Sequence, residues 1–470
     1  MFGIFESALP HGAILISLAI LFGFYMAWSI GANDVANAMG TSVGSGGLTL
    51  KKAVIIAGIM EFAGAVLVGT HVTDTVRKGM FDGSQFEPQP LVLGFMAALL
   101  AAAVWLQVAT WFGWPVSTTH SIVGAVVGIG VVVGGMESVK WGKIGVIVAS
   151  WVTSPLCGGV ISFLLMFLIQ KFAINNKHPL RQTYKLIPYL IFYVAFILCL
   201  VMVWKGLKNL DLNLSLPKAL GVSAIVGVLS SIASIFGVQK LKEKHDAERV
   251  SRGIEVSEEL EVGIPFKRKD AEDTELRPAL AEGSDLPSKR WEFRREFEFE
   301  KLERAFGGMM IISACFLAFA HGANDVANAI GPLAAILAIV KEGVVAAEAS
   351  VPLWVLAMGA LGIVIGLATW GYKVMETIGR KITQLTPSRG FAANIGAATT
   401  IVMASRFGLP ISTTHTLVGA VLGVGLARGL DSLNLRTVRD IVASWIITIP
   451  AGAFLAVLFY YILKAIFPAS

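Results

Sequence analysis

The chain has 470 residues, 55% of them hydrophobic and 15% charged, where soluble domains carry roughly 25% charged residues. A mean hydropathy of +0.71 argues against a water-soluble globular protein. The net charge of +6 is not gathered into a nucleic-acid footprint, so no nucleic-acid partner is expected.

In chain order, apolar runs occupy 12–30, 53–72, 91–112, 120–135, 144–169, 186–204, 219–238, 306–330, 352–371, 390–404, 416–427 and 441–466. A helix needs about 20 apolar residues to span the hydrocarbon core, and several runs reach that length while others are short or broken. The fold class read from this pattern is an all-α polytopic membrane protein with roughly ten to twelve hydrophobic segments. The runs do not alternate in polarity over about ten residues, which argues against a β-barrel. No Lys or Arg precedes Lys51, so a secretory signal is not expected, and the charge bias leans towards an outside N-terminus. Cys157, Cys199 and Cys315 each lie alone in apolar sequence and read as buried structural thiols.

Four blocks follow from composition: a first membrane repeat over 1–170, connecting apolar segments over 171–238, a charged cytoplasmic linker over 239–305 and a second membrane repeat over 306–470. Within the linker, 240–261 and 289–304 read as surface helices, with Trp291, Phe293 and Phe297 close together on the second, and the Pro-containing middle as a flexible connection.

The duplication rests on two strings. Gly31-Ala32-Asn33-Asp34-Val35-Ala36-Asn37-Ala38 returns unchanged as Gly322-Ala323-Asn324-Asp325-Val326-Ala327-Asn328-Ala329. Trp114-Pro115-Val116-Ser117-Thr118-Thr119-His120 is echoed by Leu409-Pro410-Ile411-Ser412-Thr413-Thr414-His415. Ser150-Trp151 and Ser444-Trp445 add a third match, and the stretch after Gly69 weakly resembles that after Gly371. Polar and acidic residues repeated inside apolar sequence point to a site at a repeat interface within the membrane. The runs alone leave open whether the copies are parallel or inverted.

On a helix, Asn33 and Asn37 share a face, as do Asn324 and Asn328, with Asp34 and Asp325 beside them. Their oxygens suit hard cations such as Na⁺ or Mg²⁺, and small neighbours allow close helix approach. Pro115 and Pro410 break any continuous helix, which predicts re-entrant hairpins. Ser117, Thr118 and Thr119, with Ser412, Thr413 and Thr414, would then open the second arms and form an anion cradle of hydroxyls and free N–H groups. His120 and His415 read as hydrogen-bonding groups within the hairpins. A membrane-embedded hydrolase using Ser117 or Ser412 with them is the alternative from another class, although no orienting acid follows. The glycine-rich run 40–47 lacks a Walker ending and reads as a break between segments. Glu61 is a lone carboxylate in an apolar run and a candidate for ion coupling.

These motifs resemble the inorganic phosphate transporter (Pit) family of sodium- or proton-coupled permeases. The resemblance implies inverted repeats, about 12 transmembrane segments including two re-entrant hairpins, a plasma-membrane location and a homodimer. It implies that Asp34, Ser117, Thr118, Thr119, Asp325, Ser412, Thr413 and Thr414 touch phosphate. The coupling cation would be held by Asn33, Asp34, Asn37, Asn324, Asp325 and Asn328, with Glu61 and Asn394 contributing to coupling. In many members a glutamate is taken to mirror Glu61 after a Gly-Phe pair, where this chain has Asn394 after Gly390-Phe391.

Moving a negative charge into a negative cell costs about 2.3 kcal/mol per 100 mV, so phosphate uptake needs an energy source. The chain shows no ATP-binding motif, which favours coupling to an ion gradient. The amide-rich oxygen set favours Na⁺ over H⁺, the alternative being proton-coupled uptake of phosphate or of a neutral metal–phosphate complex. A passive anion channel fits the paired carboxylates poorly. No catalysis and no cofactor beyond the coupling ion are expected.

Overall fold

The computed structural model describes residues 7–69, 80, 86–204, 214–251, 287–345, 351–375 and 384–468, without the side chains of 36–37, 249–251, 287–294 and 430. Its elements are helices: α1 (Gly12–Asn33), α2 (Val35–Gly44), α3 (Leu50–Val68), α4 (Pro88–Trp111), α5 (Thr118–Gly134), α6 (Trp141–Ile169), α7 (Pro179–Val203), α8 (Leu216–Ser251), α9 (Pro287–Glu342), α10 (Leu353–Trp370), α11 (Pro387–Arg406), α12 (Thr413–Arg428) and α13 (Leu435–Ile466). Among the described residues, eight spans are long and apolar enough to cross a membrane. The protein is a multi-pass membrane protein, and its outward faces are correspondingly apolar: Val152, Leu229, Phe236, Ile446 and Phe454 are all exposed.

Lipid as the outer solvent also corrects the reading of the cysteines. Cys157 lies on an exposed flank of α6, and Cys199 and Cys315 are only partly covered. Apolar sequence in such a chain marks lipid-facing surface as readily as core.

The two copies pair reciprocally. α1 packs on α10, as α9 packs on α3; α6 packs on the α11–α12 hairpin, as α13 packs on α4–α5. Glycines permit the closest approaches. A Cβ on Gly366 would fall 1.9 Å from the Trp28 carbonyl oxygen, and one on Gly64, its copy, 2.0 Å from that of Phe319. Such small-residue contacts are how membrane helices gain packing energy without a hydrophobic driving force.

Register along these contacts fixes direction. Gly362 meets Phe24 and Ala27, and one turn later Gly366 meets Trp28 and Ala32, so α10 runs parallel to α1. α3 runs parallel to α9, since Gly64 meets Phe319 and Ala323 and Gly69 meets Val326, whereas α9 runs antiparallel to α1, since Gly12 meets Val340 and Gly23 meets Leu333. It follows that α10, the copy of α3, runs opposite to α3: the geometry is that of inverted repeats. α3 and α10 also end alike, on Gly69 and Gly371, each donating its N–H to the carbonyl four residues back. Beyond those glycines, the first copy of the weak sequence match, 70–76, and the end of the second, 376–378, lie outside the described residues.

The expected surface helices are instead extensions of membrane helices. α8 continues to Ser251 and α9 begins at Pro287, so each carries its charged stretch on one rod with an apolar one. The residues between, 252–286, and the side chains of Trp291 and Phe293 lie outside the described set. Phe297 is buried, with the Lys301 ammonium 5.1 Å from its ring centre. Lys301 is itself fully buried and pairs with Glu248 of α8. Removing one partner of a buried pair costs about 3 kcal/mol. Glu248→Ala is therefore expected to lower the thermal midpoint in detergent by several degrees, measured by scanning fluorimetry.

Candidate functional site

The Pro-containing strings form the turns of two hairpins, as the sequence predicts. Ser117 caps α5 by accepting from the His120 N–H at 3.2 Å, and Ser412 caps α12 by accepting from the His415 N–H at 3.1 Å. Asn33 and Asn324 tie the hairpins to α1 and α9. Asn33 Nδ2 donates to Thr110 Oγ1 at 2.9 Å and to the Trp114 carbonyl at 3.0 Å; Asn324 Nδ2 donates to Ser405 Oγ at 2.8 Å and to the Leu409 carbonyl at 3.4 Å. These four side chains shape the turns, and the other threonines and the carboxylates converge between them.

At the centre, Asp34 and Asp325 share one hydroxyl. Thr413 Oγ1 lies 2.7 Å from Asp325 Oδ2 and 3.1 Å from Asp34 Oδ2. Thr118 donates to Asp34 Oδ2 at 2.9 Å and Thr414 to Asp34 Oδ1 at 2.6 Å. Thr119 donates to the Ile411 carbonyl at 2.9 Å, and Asn328 Nδ2 donates to the hydroxyls of Thr118 and Thr119 at 3.3 and 3.2 Å. All these residues are buried. Asn37 is on α2 in the matching place, but its side chain is outside the described residues.

Glu61 is not alone. His321 spans from Glu61 Oε2, 2.9 Å from its Nδ1, to Asp325 Oδ2, 2.8 Å from its Nε2. Its Nε2 is also 3.8 Å from Asp34 Oδ2. In the sequence His321 merely precedes the second string, and its role depends on α3 packing against α9. Ligand atoms of Asp34, His321 and Asp325 lie within 4.8 Å of one another.

Asn394 requires a correction. The helix register makes Ile363 of α10 the counterpart of Glu61 of α3, since Gly31 meets Ile363 as Gly322 meets Glu61. Asn394 is on α11 and belongs to a separate buried group, where its Oδ1 accepts from Thr41 at 2.7 Å and its Nδ2 donates to Ser313 at 3.2 Å. It is not the mirror of Glu61; the acid–histidine pair joins the two repeats, and the counterpart positions hold Ile363 and Ile30.

The histidines of the hairpins use their backbone for caps and their rings for stacking. His120 and His415 meet edge to face with centroids 4.2 Å apart, Trp151 lies 3.8 Å from His120, and Trp445 lies 3.5 Å from His415. With both serines engaged as caps and both imidazoles in this stack, the hydrolase arrangement is not assembled.

A buried centre where two copies of one motif meet, lined by carboxylates, amides and hydroxyls inside a polytopic helical bundle, marks a membrane transport protein. The sequence pattern defining the phosphate transporter family matches residues 30–456, and the chain belongs to that family, whose members are transporters rather than enzymes. It is 45% identical to the Arabidopsis thaliana protein named inorganic phosphate transporter 2-1, chloroplastic, over 98% of this chain and 75% of that protein. A Haemophilus influenzae relative is 43% identical over 97% of this chain and 98% of its own length. Among solved structures, one described as the sodium-dependent phosphate transporter matches with a TM-score of 0.80 and 38% identity, covering 96% of this chain and 100% of the other.

Proposed function

We propose that this chain imports inorganic phosphate by symport with Na⁺, through alternating access around the Asp34–Asp325 centre. The observation that carries the cation is a surplus of acceptors on α9. Asn324 Oδ1, Asp325 Oδ1 and Asn328 Oδ1 are buried without a hydrogen-bond donor. Buried oxygens left without donors cost about 1–3 kcal/mol each, and a hard cation offsets that cost by binding them. The threonine hydroxyls around Asp34 then supply donors for phosphate oxygens. Two carboxylates alone would repel phosphate; cation binding beside them reverses the sign of the field, which makes anion binding conditional on the cation. The sodium-dependent neighbour supports the same ion. Homodimerisation remains part of the proposal on family grounds.

Labelled-phosphate uptake into proteoliposomes tests this reading. Replacing an inward Na⁺ gradient by choline is expected to lower the initial rate at least tenfold. Uptake indifferent to Na⁺ but driven by a pH gradient would overturn the sodium version. Competition by sulfate and arsenate in the same assay defines the oxyanion.

A further inference from the structure

The two halves share their caps and hairpin ties, Ser117 with Ser412 and Asn33 with Asn324, but differ in the hydrogen bonds of a few mirrored residues around the centre. Trp151 of α6 donates its indole N–H to the Pro410 carbonyl at 3.4 Å, at the turn of the second hairpin. Trp445 of α13 occupies the copied place beside the first hairpin, yet its indole N–H is buried without a hydrogen-bond partner. A buried, unmade indole donor is uncommon and costly. The same asymmetry recurs at the carboxylates. Asp34 receives hydroxyls from Thr118, Thr413 and Thr414, whereas Asp325 receives Thr413 and keeps Oδ1 without a donor. Thr119 and its copy Thr414 each reach a carbonyl of the other hairpin, Ile411 at 2.9 Å and Val116 at 3.3 Å, but only Thr414 also bonds a carboxylate. Between the two tryptophans, the His120–His415 ring contact crosses from one half to the other without a hydrogen bond to break.

Inverted copies make the second arrangement available at similar energy, since each element can take the contacts its copy now holds. We propose that Trp151 and Trp445 are positioning residues that hold the two hairpin turns in alternation. In the conformation described here Trp151 holds the second turn. In the opposite-facing one Trp445 donates to the Pro115 carbonyl, Thr119 joins Thr118 on Asp325, and the Trp151 and Thr414 contacts are released. The two imidazoles form the bearing on which the exchange turns. This inference rests on the alternating-access reading above.

The test uses Trp→Phe, which keeps the ring and removes only the donor. Reporter cysteines at Phe112 and Phe407, which are exposed on the two turns, read each hairpin separately by labelling with a maleimide, the parent protein serving as the blank. W151F is expected to speed labelling of F407C about threefold and to slow that of F112C, since one hydrogen bond shifts a two-state population by about two- to tenfold. W445F should do the reverse, and the double variant should return both rates to within about twofold of the parent. Same-direction changes in both single variants, or no change in either, would overturn the proposal. Because labelling needs no substrate, it stays informative even if labelled phosphate is not transported, which would sink the symport reading instead. Phosphate KM and maximal rate in W151F give a second check: an alternating role alters the rate while the double variant restores it, whereas mere loss of packing worsens in the double variant.

Discussion

Asp34→Asn is expected to reduce phosphate uptake about a hundredfold while leaving the protein folded and monodisperse. The substitution keeps shape and removes charge. Asp34 is buried, receives three threonine hydroxyls and stands 3.8 Å from His321 Nε2. Hydrogen bonds to an ionised group contribute about 1.5–3 kcal/mol, so losing the charge at one such group accounts for about 100-fold. The neutral amide is also a poorer ligand for a coupling cation. Initial uptake rates in proteoliposomes, normalised to reconstituted protein, decide the matter. Retention of more than half the parental rate would remove Asp34 from the centre of the mechanism.

Gly366→Ala should have the largest effect on stability. Its new methyl would stand 1.9 Å from the Trp28 carbonyl oxygen and 2.9 Å from the Ala32 nitrogen. Neither is the movable end of a side chain, so α1 and α10 must separate. Overpacking costs about 1–3 kcal/mol where side chains can yield, and more where backbone must move. Loss of a monodisperse peak, or a thermal midpoint lowered by about 10 °C or more, is expected. Gly307→Ala is the control, because nothing lies within 4 Å of a Cβ there. Equal behaviour of the two variants would contradict the close parallel packing of α1 on α10.

How far the sequence reaches can be judged residue by residue. The duplicated strings place Asp34 and Asp325 together because a membrane chain repeats costly buried charge only where copies converge. Pro115 and Pro410 mark the hairpin turns because a missing N–H and a fixed φ act locally. Three features escape such reading because they depend on packing between elements distant in sequence. The Glu61–His321 pair joins residues 260 apart. The serines of the hairpins look like the hydroxyls beside them, yet capping geometry engages them while leaving the threonines to the centre. Asn394 follows a glycine and a phenylalanine that suggest a mirror of Glu61, and only the register of α3 against α9 and of α10 against α1 shows otherwise.

Where α1 and α2 are interrupted at Asp34, α9 passes through Asp325 unbroken for 56 residues. At 1.5 Å per residue that is a rod of about 84 Å, roughly twice the thickness of a bilayer with its headgroups. Much of it therefore stands clear of lipid, joined to the carboxylate about two thirds of the way along. A few degrees of tilt at Asp325 become several ångströms of travel at the far end. A spin label near Arg295 would read that swing directly, and an antibody fragment gripping the same end should act as a brake.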